Sequence, residues 1–276
     1  MDESLITSIV HSIFNYSENI DEIELDIFIK NISNSIIEIL DLKKYVQDVK
    51  VLEVYDKNPA SRGLIDKEKN VCIFKNGIED TLEELLQEAP GLNEYEIKLY
   101  RCLLYIKTLL HELGHAKQEK LLEEDGENNF LETLIVRLCK SKKRDHNFGY
   151  FCLYDFYPAE RLAEIQALEI LIKVINCLNS KMDMELLSLC IQKQLVFEWF
   201  CNYYRCGLIG STEKYFEFLD SESLSILKSE KEKRKLSLED RVLYGLEISR
   251  KEYEGMLIQY EALDEKINEL LNQRKK

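Results

Sequence analysis

The chain is poor in residues that break regular structure, with three Pro and ten Gly among 276 residues. That leaves little room for long irregular loops. No run of about 18 or more apolar residues occurs, which excludes a membrane-spanning helix. Positive charge is also short: 37 Lys and Arg stand against 51 Asp and Glu, for a formal net charge of −14. A nucleic-acid-binding surface needs clustered cations, so nucleic acid is not an expected partner. The start, Met1-Asp2-Glu3-Ser4, lacks a basic segment, so no secretion signal is expected. Eight Cys are present but no CxxC pair. Without a secretion signal these thiols, among them Cys102, Cys139, Cys177 and Cys190, are expected to be reduced and buried, in a cytoplasmic setting.

Leu, Ile, Glu and Lys are abundant, which favours helix. The expected fold is mainly α with a small β-sheet. Apolar periodicity predicts helices over 3–16, 22–42, 94–122, 130–140, 183–206, 211–220, 222–235 and 238–275. Thr81-Leu82-Glu83-Glu84 reads as a capping box opening a short helix that ends at Pro90-Gly91. Strand-like segments lie at Val46–Tyr55 and at Val71-Cys72-Ile73-Phe74, with turn signals at Asn58-Pro59 and Asn76-Gly77.

His is scarce, yet two of the four stand in His111-Glu112-Leu113-Gly114-His115. Residues four apart on a helix share a face, so both imidazoles can aim at one ion. Glu112 lies beside them without filling a ligand position, where a general base must be to take a proton from water activated by the metal. Leu103 to Leu110 is nearly all apolar, so the helix is expected to be buried. Buried His needs a partner, and a metal ion is one. Gly114 costs roughly 1 kcal/mol in a helix interior relative to Ala, a cost that close approach of another helix would explain.

Catalytic zinc needs three protein ligands and an open position. A third His six residues beyond His115 is absent, because Leu121 stands there and Gln118 replaces the intervening Gly. The better donor is in Tyr157-Pro158-Ala159-Glu160-Arg161-Leu162-Ala163-Glu164, where Pro158 suits a first helical turn. Glu160 and Glu164 face one way, and the small Ala163 and Ala167 allow approach to the Gly114 side of the motif helix. Glu160 is read as the zinc ligand and Glu164 as the acceptor that orients a ligating His. The swapped assignment, with Glu164 as ligand, stays open.

HELGH followed by ERLAE resembles the gluzincin pattern HExxH…ExxA[DE]. Similar patterns occur in ImmA/IrrE-type metallopeptidases, in soluble minigluzincins and in a membrane-embedded protease family from which the lack of apolar spans separates this chain. The resemblance covers about residues 70–175, and Glu164 departs from the more familiar Asp. It implies a Zn2+-dependent endopeptidase with a zincin-like core, His111, His115 and Glu160 as ligands and Glu112 as base. The expected partner is a peptide or protein substrate, and for an ImmA/IrrE-like member a regulatory protein. In zincins an edge strand pairs with extended substrate, and residues 71–75, with Val71, Cys72, Ile73 and Phe74, are assigned to that edge.

Tyr154 and Tyr157 are the nearest candidates for stabilising an oxyanion. The segment Lys140–Gly149, with His146, forms a basic loop. The long charged C-terminal helix carries an apolar stripe that fits docking on its own chain or pairing in a homodimer. The expected organisation is a core over 1–180 and a helical extension over 181–276. The alternative to an enzyme is an inactive metal-binding helical scaffold that acts through protein interactions.

Overall fold

The computed structural model describes residues 3–18, 23–88, 91–124, 158–179, 184–205, 225, 237–238 and 248–274. Among these the protein is α+β, with seven helices and one three-stranded sheet. Two amphipathic helices come first, α1 (Glu3–Glu18) and α2 (Leu25–Ile39). Leu5, Ile9 and Ile13 on α1, and Ile29, Ile32 and Ile36 on α2, recur every three or four residues and are buried in one apolar core.

The sheet follows. Strand β1 (Asp48–Leu52) lies parallel to β3 (Asn70–Phe74), and β2 (Gly63–Ile65) lies antiparallel to β3 on its other side. The order is therefore β1-β3-β2. This corrects the expected edge at 71–75. Val71, Cys72, Ile73 and Phe74 form the central strand, hydrogen-bonded on both sides and buried throughout. A continuous apolar run marks a strand covered on both faces, and such a strand belongs inside a sheet. Strand addition at Val71–Phe74 is ruled out because no free edge remains there.

Lys75 already belongs to the next helix, α3 (Lys75–Glu88), so Asn76-Gly77 is not a turn and Thr81 is not a cap. The Thr81 hydroxyl instead donates to the Gly77 carbonyl within the helix, at 2.8 Å. The true capping box opens α4 (Glu94–Glu124). There Asn93 Oδ1 accepts the Glu96 N–H and Glu96 Oε2 accepts the Asn93 N–H, both at 2.9 Å.

The 31 residues of α4 make a rod of about 46 Å. Its middle is covered by α3, the sheet, α2 and α5 (Pro158–Asn179), with α5 the most extensive neighbour. Pro158 occupies the first position of α5, as expected. Next come α6 (Glu185–Arg205) and α7 (Arg250–Arg274). Helix α7 docks on α6, burying Met256, Leu263, Ile267 and Leu271. Arg274 in its last turn pairs with buried Glu96 at 2.7 Å, tying the end of the chain to the start of α4.

Of the four cysteines whose side chains are described, Cys72 and Cys102 are buried and Cys190 is half-buried. Cys177 is exposed, contrary to expectation, because it lies on the outer face of α5. No helix among the described residues is long and apolar enough to cross a membrane. The segments expected as helices at 130–140, 211–220 and 222–235, the basic loop with His146, and the candidates Tyr154 and Tyr157 lie outside the described residues or almost wholly so.

Candidate metal centre

The candidate centre lies beside a tight contact between α4 and α5 at Gly114 and Ala163. A Cβ placed on Gly114 would stand 3.2 Å from Ala163 Cβ and 3.3 Å from Ala163 Cα. Any larger residue at either position would hold the helices apart. On α4 the stripe Lys107, His111, His115 repeats every four residues, and on α5 it faces Glu160 and Glu164 at the same spacing.

The two stripes interlock as a ladder of alternating charge. Lys107 Nζ meets Glu164 Oε1. Glu164 Oε2 lies 3.1 Å from His111 Nδ1. His111 Nε2 and His115 Nε2 each lie 3.3 Å from Glu160 Oε2 and 3.2 Å from each other. His115 Nδ1 is 3.2 Å from Gln118 Oε1. An ionised carboxylate only accepts, so His111 Nδ1 carries the proton donated to Glu164. The Gln118 amide oxygen likewise accepts from His115 Nδ1.

Both rings thereby turn Nε2 toward Glu160, and His111, His115 and Glu160 form a group that can hold a metal ion. The spacing tests the fit. A tetrahedral zinc ion at about 2.0–2.1 Å from each donor needs donors about 3.3–3.4 Å apart. The three separations here are 3.2, 3.3 and 3.3 Å. Of the two carboxylates, Glu160 is the one that faces both Nε2 atoms, while Glu164 faces His111 from the Nδ1 side.

Charge at the centre follows from burial opposed by these contacts. For His111 burial favours the neutral ring, but the hydrogen bonds to Glu160 and Glu164 outweigh it and raise the pKa to about 10. Burial would likewise push Glu160 and Glu164 up. The two imidazoles hold Glu160 far below the usual carboxylate range, and Lys107 with His111 does the same for Glu164. Glu112 is buried, and burial pushes its pKa up against the partial opposition of His111, His115 and Arg62. A carboxyl raised in this way takes up a proton more readily than a free one.

Four contributors were not anticipated. Lys107 is a charged residue within an otherwise nearly apolar run, yet it is almost fully buried. Gln118 stands one turn beyond His115, a spacing that carries a signal only once His115 is taken as a ligand. Gly63, on edge strand β2, packs against Glu112: a Cβ there would come within 2.8 Å of Glu112 Oε1 and of Thr108 Cγ2. Arg62, the residue before β2, places a positive charge near enough to lower both Glu112 and Glu164. No protein-family model, curated protein or solved structure matches this chain at a significant level.

Proposed function

We propose that the protein is a zinc-dependent endopeptidase of the gluzincin type, with a zincin-like core formed by the sheet, α4 and α5. The observation that carries this reading is the tetrahedral spacing of His111 Nε2, His115 Nε2 and Glu160 Oε2 with Glu112 adjacent. When bound, zinc supplies a Lewis acid that acidifies water and polarises a scissile carbonyl.

The chain's own groups do the rest. Glu112 takes a proton from the attacking water and returns it to the departing amine. Burial pushes the Glu112 carboxyl up, which favours its taking the proton. Glu164 and Gln118 hold the two imidazoles with Nε2 turned to the centre. An extended peptide adds to β2, the short edge strand beside Glu112, which replaces the Val71–Phe74 assignment. Arg62 at the start of that edge favours a substrate with an acidic side chain nearby.

The test compares wild-type protein with Glu112→Gln, both loaded with zinc, on an unfolded protein and a peptide library. The expected result is cleavage by wild type and a loss of about 10²–10⁴-fold in the variant, with zinc retained. If both bind zinc and neither cleaves, the protein is a metal-holding scaffold and the hydrolytic reading fails.

A further inference from the structure

We propose that Lys107 is a positioning residue for the metal centre, fixing the Glu164 carboxylate that holds the His111 ring; this rests on the metal site proposed above. Lys107 lies one turn before His111 on the same face of α4 and is 2% exposed. Its ammonium meets Glu164 Oε1, while the other oxygen of that carboxylate takes the His111 Nδ1 proton at 3.1 Å. Both oxygens of Glu164 are thus committed, one to Lys107 Nζ and one to the His111 ring.

Held at one oxygen by Lys107, the Glu164 carboxylate is restrained from turning, and its other oxygen fixes the plane of the His111 ring. A buried cation in a helix this apolar costs desolvation energy, which a merely space-filling role would not require. An apolar side chain would fill the same volume.

The test measures zinc dissociation constants of the full-length, metal-freed protein by competition with a chromophoric chelator. The variants are Lys107→Met, Glu164→Gln and the double substitution. Cobalt(II) absorption spectra of each report ligand geometry. Lys107→Met is expected to weaken zinc binding about 10–100-fold and to broaden the cobalt bands. Adding Lys107→Met to Glu164→Gln is expected to cost nothing further, because Lys107 has no route to the metal except Glu164.

Wild-type affinity retained in Lys107→Met, or losses that multiply in the double variant, would overturn the proposal. If Lys107→Met does not fold, Glu164→Gln against the double variant decides: equal affinity supports the proposal and a tenfold gap refutes it. A wild-type protein that binds no zinc would remove the metal site itself, an outcome distinct from the other two.

Discussion

Gly114 and Ala163 touch across the α4–α5 crossing, where a methyl added to the glycine would meet both Cβ and Cα of the alanine at 3.2–3.3 Å. Their contact sets the separation of the stripe that carries His111 and His115 from the stripe that carries Glu160 and Glu164. Helix propensity and metal geometry therefore pull Gly114 in opposite directions.

Gly114→Ala separates the two effects. The helix gains up to about 1 kcal/mol of intrinsic propensity, partly offset by crowding against α5. The crossing opens by a few tenths of an ångström, and zinc binding weakens. Thermal unfolding of the metal-free protein beside a zinc titration checks this. The expected pattern is a melting temperature little changed or raised, with reduced affinity.

Gly63→Ala acts on the base instead. The new methyl crowds Glu112 Oε1 and Thr108 Cγ2, both at 2.8 Å. The carboxylate must swing aside while His111, His115 and Glu160 stay in place. Peptide hydrolysis is expected to fall at least tenfold, within the range of general acid–base catalysis, with zinc affinity unchanged. Parallel activity and metal-binding assays give the readout.

The pH dependence of the metal-free protein follows from His111. Its folded pKa, about 10, lies above the 6.5 of an unperturbed ring. A raised pKa adds stability that is complete below the unfolded value and is lost as pH climbs through the folded one. The melting temperature of metal-free protein is therefore expected to decline between pH 6.5 and about 10, and His111→Asn is expected to flatten that decline. Zinc requires the neutral ring, so zinc affinity rises over the same interval and uptake expels roughly one proton. Calorimetric titration at pH 8 in two buffers of different ionisation enthalpy measures that proton.

The legible parts of this protein are those whose meaning lies within one helix. The spacing of His111 to His115 and of Glu160 to Glu164 states which side chains share a face, and the small residues Gly114 and Ala163 mark where two such faces meet. Sheet order was not legible, because β2 has three residues and its turn to β3 contains no glycine. Lys69 takes φ 64° there, and Asp66 accepts the Asn70 N–H at 2.8 Å. The continuous run Val71–Phe74 belongs to a central strand, not an edge. Lys107, Gln118, Gly63 and Arg62 gain their roles only from packing between elements, which no local pattern carries.

The account stands on three side chains holding one divalent ion. Its most direct test is the zinc content and affinity of untagged protein, wild type against His111→Ala, His115→Ala and Glu160→Ala. The expected result is one zinc per chain in wild type, with affinity collapsing in all three variants. A wild-type protein that takes up no zinc, or variants that bind it as tightly as wild type, would contradict it.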